Sequence, residues 1–551
     1  GRNGTRSARN RAFAIARSHH AQPQLDTTHL PDETSGLFSV ALSAAATAQI
    51  PGNYDPSFAT VGRTAPHYTK NDNAYSVAIQ PDGKILAAGW CHDTDSVTLR
   101  PCVTRLNGNG TYDSSFGVSG KLRMTVAILE PSVVRIALQP DGKIILAATS
   151  NTGPSFWLAR LMADGSSDPS FTGPSGSAPG HFSLPMLPGT GDNYLSALLL
   201  QPDGKIVLGG SCTSPAFKMC VVRLTATGAF DPTFDGPGAP GDGRFVIDFP
   251  GMAHPHELNA LALQSDGRIL LAGRFQMTAS ISDSDFALAR LTDTGAFDTT
   301  LGAPTGASAY APGWFALPVG TAFDEARAVL LQPDDRIVIA GMCVGVNNDF
   351  CVARLDADGS LDVTFDGPSG SANGKFLLPV GTNNDNLRLL LQQPDGKLIL
   401  GGSCAVGAVL QFCLARLNHD GSLDSTFDGP GTPGNGLFTF NPYSSNSFLY
   451  TGALQSDGQL VLAGTCFRSP DDDQCIVRLH GGPAAARACT LDVDGDGVVS
   501  ATRDTLILTR VALGLTGSAV VNGISFAPHA TRTSWSAIRS WLVSQCGMSL
   551  P

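Results

Sequence analysis

Short apolar runs alternate with polar turns along most of the chain, and one arrangement returns at a regular interval. Val77-Ala78-Ile79 leads through Gln80-Pro81-Asp82-Gly83 into Lys84-Ile85-Leu86, and Leu198-Leu199-Leu200 leads through Gln201-Pro202-Asp203-Gly204 into Lys205-Ile206-Val207. Apolar β-formers on both sides of a Pro-Asp-Gly turn predict a hairpin, whose strands are called A and B below. The opening Gln recurs as Gln80, Gln139, Gln201, Gln264, Gln332, Gln393 and Gln455. This period of roughly sixty residues exceeds that of most helical solenoids. After each hairpin comes an apolar run ending in Arg-Leu, at Arg105, Arg160, Arg223, Arg290, Arg354, Arg416 and Arg478, which predicts strand C. In the first six copies a Gly follows at a fixed place (Gly110, Gly165, Gly228, Gly295, Gly359, Gly421), suited to the positive φ of a tight turn. Asp113, Asp168, Asp231, Asp298, Asp362 or Asp424 comes next, and then Phe116, Phe171, Phe234, Leu301, Phe365 or Phe427, expected to open strand D. Four strands per repeat make a propeller blade, so the pattern predicts an all-β, seven-bladed β-propeller.

The seventh copy stops after Arg478-Leu479, where its fourth strand is missing. Ahead of the first blade, however, Gly52, Asp55 and Phe58 repeat the spacing of the missing piece. Residues 51–60 are therefore expected to pair with strand C of the seventh blade and close the ring, which leaves no open end to cap. The repeated Gln-Pro-Asp-Gly-Lys and Ala-Arg-Leu phrases resemble the delta-60 repeat family of bacterial proteins over residues 49 to about 482. Asp335 replaces the turn Gly, and Ser265 and Ser456 replace the turn Pro, changes compatible with a hairpin. The resemblance implies a propeller and no particular activity.

Composition supports this reading and narrows the function. With 62 Gly, 36 Pro and only 15% charged residues, the chain suits many short strands and turns. A formal net charge of −11 without a basic cluster offers nothing to phosphate backbones, so nucleic acid is not an expected partner. No apolar stretch is long enough for a membrane-spanning helix. Leu37–Ala46 followed by Ala46-Thr47-Ala48 reads as the end of a signal peptide within a leader of residues 1–48; a flexible tail is the alternative, because Asp32 and Glu33 stand where a signal carries positive charge.

Ten of the twelve cysteines obey the repeat. One stands eleven residues after the anchor Gln (Cys91, Cys212, Cys343, Cys404, Cys466) and one three before the Arg (Cys102, Cys220, Cys351, Cys413, Cys475). The second and fourth blades lack both, with Ser150 and Trp157 in one and Phe275 and Ala287 in the other. Paired presence and absence points to a disulfide within each blade, between the end of strand B and the start of strand C. Scattered two-Cys metal sites are the rival reading. Cys489 and Cys546 bracket the C-terminal segment and are expected to form a sixth bridge. Disulfides require an oxidising compartment, so a secreted or cell-surface location is expected.

After a linker at residues 484–488, Asp492, Asp494 and Asp496 alternate ahead of Gly497 and Val498. Such alternation suits a calcium loop of the EF-hand kind, with the Val498 carbonyl and Asp504 completing the ligands; an acidic turn without metal is the alternative. An apolar helix from Leu506 to Leu513 follows. Residues 489–551 resemble the first half of a dockerin, which implies Ca2+. Dockerins carry two such loops, whereas the second half here has helix-like positions at Trp535, Ile538 and Trp541 and no acidic loop, so cohesin docking is left unsupported.

Other chemistry is sparse. His254-Pro255-His256-Glu257 occurs in one blade and reads as a solvated loop before it reads as a metal site. Asp72, Asp324 and Asp385 stand eight residues before their anchors, where the other blades carry Pro131, Asn193, His256 and Ser447; this is too mixed for a symmetric metal ring, although the three Asp are candidates to converge. The A-to-B and C-to-D turns are expected to be short and uniform, and the D-to-A and B-to-C loops long and variable on one face around the channel. That face is the expected binding surface, for an extracellular glycan or protein. A non-catalytic binding or adhesion scaffold is the first functional expectation; the alternative is a hydrolase or lyase acting on extracellular polysaccharide with residues dispersed over the same loops.

Overall fold

The computed structural model describes residues 50–93, 97–128, 133–150, 155–174, 179–184, 191–213, 216–236, 242–249, 251, 253–280, 282–370, 373–430, 435–443, 445–481, 493–494, 503–513, 515–526 and 532–544. The leader, the linker, Cys489, Cys546, Asp492, Asp496 and Val498 lie outside them.

Seven antiparallel sheets follow one another along the chain, each ordered A-B-C-D. In the first blade the strands are Ser76–Ile79, Ile85–His92, Leu99–Leu106 and Lys121–Arg123. Strands B and C are buried along nearly their whole length, as in Ile206–Thr213 and Phe217–Leu224. A strand covered on both faces reads as a continuous apolar run, which is why these segments show little alternation. Each strand A touches strand A of the next blade, and that of the seventh touches that of the first, so the ring is closed around a channel. Large side chains such as Phe171, Phe234 and Trp157 fill the layers between blades.

The chain closes the ring as expected in kind, though not in register. Tyr54 bridges Leu479, but the fourth strand of the seventh blade is Arg63–Thr64, paired with Val477 and Ile476. The same displacement holds in the first blade, where Phe116 precedes strand D instead of opening it. The reason lies in a clamp. The strand C Arg reaches the repeat Asp in all seven blades, from Arg105–Asp113 at 2.8 Å to Arg478–Asp55 at 2.7 Å. In six blades it also stacks on the repeat Phe, as Arg223 does on Phe234 at 4.3 Å and Arg478 on Phe58 at 4.8 Å. The Phe is thus spent on the clamp, and the chain must turn again before it can pair.

The C-to-D connections correct a second expectation. They are long, running from Met162 to Gly180 and from Asp356 to Gly374 between strands, and they fold back as the clamp. Two of the B-to-C connections are only dipeptides, Gly407-Ala408 and Ser469-Pro470. The fourth blade carries an extra outer strand, Ala309–Ala311, beside Trp314–Leu317. Asp335, in place of the turn Gly, holds φ at 64°, a left-handed conformation that Asp tolerates better than most residues.

Each clamp also ties its blade to the next. Arg160 Nη1 donates to the Ala226 carbonyl at 2.5 Å, Arg290 Nη1 to Ala357 at 2.6 Å and Arg416 Nη1 to Gly481 at 2.6 Å. Arg478 donates to Gly108 of the first blade, completing the circle. The anchor Gln does parallel work, since Gln393 Nε2 reaches Gly481 and Gln455 Nε2 reaches Gly83.

Among the described C-terminal residues are three helices: α1 (Asp504–Ala512), α2 (Ser518–Val521) and α3 (Trp535–Ser544). Val493, Ile507, Val511, Val520, Ile538 and Leu542 form a small core. The helix positions expected near Trp535 and Ile538 are those of α3.

Candidate functional site

Strands B and C join at the face of the D-to-A and B-to-C loops, and there the cysteines meet. Cys91–Cys102, Cys212–Cys220, Cys343–Cys351, Cys404–Cys413 and Cys466–Cys475 are bridged within their blades, with Cα separations from 5.4 to 5.9 Å. The two blades without bridges are filled by aromatics. Trp157 is buried in the second, and in the fourth Phe275 packs edge-on to Phe249 at 4.7 Å and Trp314 at 5.3 Å.

Asp324 and Asp385 each start a strand A, paired in register with Cys343 and Cys404, and Asp72 forms an isolated bridge to Cys91 ahead of strand Ser76–Ile79. Each holds its own D-to-A loop. Asp324 Oδ2 accepts the N–H groups of Val319 (2.7 Å) and Gly320 (2.9 Å), Asp385 Oδ2 those of Val380 (2.8 Å) and Gly381 (3.0 Å), and Asp72 Oδ2 that of Tyr68 (2.6 Å). A carboxylate that accepts two backbone donors fixes a loop. The three Asp therefore brace separate blade junctions.

Each also faces a second carboxyl, supplied by strand C of the preceding blade. Asp473 lies by Asp72, Asp285 by Asp324 and Asp349 by Asp385. Burial, with the neighbouring carboxyl, pushes Asp72 up to about 7 and Asp324 and Asp385 up to about 6 against their backbone hydrogen bonds. At the first of these junctions His67 Nδ1 is 2.6 Å from Asp473 Oδ1 and 3.7 Å from Asp72 Oδ2. Among the described residues this is the one His and carboxylate group with donor atoms within 4.8 Å of one another. A signal for the pairing was present in the chain. Asp occurs five residues before the strand C Arg only where the next blade has Asp eight residues before its anchor.

His254-Pro255-His256-Glu257 is less solvated than expected. His256 is buried, its Nε2 3.1 Å from the Ile247 carbonyl oxygen and its ring edge-on to Phe249, and burial lowers its pKa. Glu257 pairs with Arg274 at 2.5 Å. Both side chains are thus committed to local structure. Asp471, Asp472 and Asp473 belong to strand C of the seventh blade.

In the C-terminal segment Asp494 and Asp504 are fully buried. Asp504 Oδ1 accepts the N–H groups of Val493 (2.6 Å) and Asp494 (3.0 Å), and Asp494 Oδ2 lies 3.6 Å from Arg503 Nε. Two of the five expected calcium ligands are thereby brought to one place.

Known structures match the chain at low identity and low TM-score. The extracellular domains of Drosophila semaphorin 1b match at 10% identity and a TM-score of 0.35, covering 80% of this chain and 91% of that one. A polysaccharide lyase, an ulvan lyase, matches at 10% identity and 0.41, covering 77% and 97%. Sqt1 from Chaetomium thermophilum matches at 12% identity and 0.37, covering 72% and 80%. No curated protein sequence matches the chain. Residues 80–116, 139–171, 201–234, 264–301, 332–365 and 393–427, each running from an anchor Gln to the clamp Phe or Leu, match the family model described as "Domain of unknown function (DUF5122) beta-propeller".

Proposed function

We propose that the chain is an exported, non-catalytic binding scaffold that takes its ligand on the face formed by the D-to-A and B-to-C loops. The observation that carries this reading is the placement of the five disulfides, which tie strands B and C together at that face. Loops held in advance lose less entropy on binding, so a braced rim favours recognition. Bridges also persist in oxidising compartments, and no helix among the described residues is long and apolar enough to cross a membrane. The conspicuous carboxyls argue for architecture before catalysis, since Asp72, Asp324 and Asp385 are occupied by their own loops. Calcium belongs to the same proposal: Asp494 and Asp504, with Asp492, Asp496 and the Val498 carbonyl, would hold one ion that orders the C-terminal segment. Arg503 beside Asp494 supplies part of the neutralising charge.

Probing the full chain on arrays of extracellular glycans and proteins tests the reading. Saturable binding that is lost when a D-to-A loop is replaced by that of another blade is the expected result. New reducing ends or unsaturated products released from a polysaccharide would overturn it in favour of a hydrolase or lyase.

A further inference from the structure

The innermost strands carry charge that the repeat does not explain. In five blades the pairing of strands A and B slips by one residue at the same place, between Leu195 and Ala197, Leu258 and Ala260, Ala326 and Ala328, Leu387 and Leu389, and Leu449 and Thr451. The extra residues are Ser196, Asn259, Arg327, Arg388 and Tyr450. A bulge leaves such a residue outside the ladder and re-aims its side chain. Glycine in strand B lets the strand A backbone approach closely just before the bulge: a Cβ on Gly341 would lie 1.9 Å from the Glu325 carbonyl oxygen, and one on Gly402 2.0 Å from that of Asn386. Tyr75 holds the corresponding place in the first blade, and Arg135 stands one residue beyond it in the second.

Because the seven strands A form the inner ring, these side chains meet along the channel. Asn259 Nδ2 donates to Glu325 Oε1 at 2.9 Å, and the rings of Tyr75 and Tyr450 lie 4.4 Å apart. Arg135 runs along the wall, with Nε donating to the Ser196 carbonyl at 2.7 Å and Nη1 to that of Tyr75 at 3.2 Å. Arg388, on the sixth blade, is repelled by Arg327 and more weakly by Arg135 across the channel, and the attraction of Glu325 offsets part of that repulsion. It is exposed, and among the described residues it forms no ion pair or hydrogen bond. The nearby carboxylates are engaged elsewhere, Glu325 with Arg327 at 2.6 Å and Glu257 with Arg274 at 2.5 Å. Surrounding protein, followed by the charge of Arg327, draws Arg388 down to about 10, and burial does the same to Arg135. A chain of net charge −11 thus keeps two guanidinium groups without carboxylate partners on the channel wall, where a bound anion would offset their like charge.

We propose that the central channel is an oxyanion site, in which Arg388, Arg327 and Arg135 take the carboxylate or sulfate group of a ligand arriving from the face of the D-to-A and B-to-C loops, with Tyr75 and Tyr450 as its aromatic wall. This rests on the reading of that face as a binding face. Planar guanidinium groups match both oxyanions through paired N–H donors.

The test uses the full chain with inorganic sulfate, glucuronate and glucose, followed by calorimetry and thermal unfolding. Sulfate, glucuronate or both should raise the melting temperature while glucose does not, and whichever acts identifies the preferred group. R388Q should weaken anion binding by about tenfold or more, and without anion it should raise the melting temperature, because a repulsion is removed. A purely structural Arg388 would instead lower the melting temperature and leave the anion response intact, which overturns the proposal, as does the absence of any anion response. An array ligand that R388Q still binds would overturn the channel site and leave the binding face standing. Anion binding without any array ligand would support the channel site and count against the binding face.

Discussion

Arg478 at the end of the last blade and Asp55 near the start of the described chain form an ion pair of 2.7 Å, both side chains buried, and the same guanidinium donates to Ser57 Oγ at 3.0 Å. The other six clamps join residues only eight apart, as Arg160 and Asp168 are. This one spans the ring. Removing one member of a buried pair costs about 3–5 kcal/mol, because the other is left uncompensated. Asp55→Ala should therefore lower stability by that order, and deletion of residues 49–66 by more, since Phe58 and strand Arg63–Thr64 go with it. Thermal unfolding that is unchanged in the deletion would rule out closure by these residues.

The five bridges close loops of eight to eleven residues, for which chain entropy gives about 2–3 kcal/mol each. Replacing Cys343 and Cys351 together by Ser should lower stability by roughly that amount in chemical denaturation. Peptide mapping of the native chain should recover Cys91 with Cys102 and Cys466 with Cys475; peptides that link different blades would contradict the assignment.

Two sets of aspartates oppose one another in their pH dependence. Burial opposes ionisation of Asp168 and Asp424, yet hydrogen bonds from Ser170, or from Lys397 and Thr426, together with the clamp Arg hold both at about 2. Their stabilisation is complete above the unfolded value near about 4 and is lost as pH falls toward 2. Asp72, Asp324 and Asp385 are raised instead, so their contribution is complete below about 4 and is lost as pH rises through 6 to 7. Stability should peak near about pH 4–5, and the triple change D72N, D324N and D385N should flatten the neutral side of the curve. Parallel curves for the wild type and the triple variant above pH 5 would refute the assignment.

Calcium should act locally. Three alternating carboxylates in one loop repel each other unless a cation is present. Asp494→Ala should abolish calcium-induced hydrogen-exchange protection of residues 490–513 while residues 70–480 stay unchanged. Equal protection of the wild-type segment in chelator would exclude the calcium role.

The repeat makes the blades legible in the sequence, because each consensus residue serves a local purpose. Gln80-Pro81-Asp82-Gly83 turns a hairpin, and Cys212 lies beside Cys220 whatever the rest of the ring does. The paired loss of cysteines in two blades could be read for the same reason, since a bridge needs both halves within one hairpin. Strand D was misplaced because its start depends on what Phe116 and its equivalents pack against, and that partner is the Arg of the adjacent strand.

The channel lay beyond the sequence for a related reason. Arg327 and Arg388 stand inside apolar runs and read as exposed positions on ordinary strands. Local propensity determined the strands themselves, and the spacing of Gly52, Asp55 and Phe58 implied that the ring would close. Only the closed ring decides that bulges in separate blades aim at one axis, so that Arg388 feels the charge of Arg135 from the far side of the circle. Charge repulsion across a channel is a property of distances between blades, which residue order along the chain does not contain.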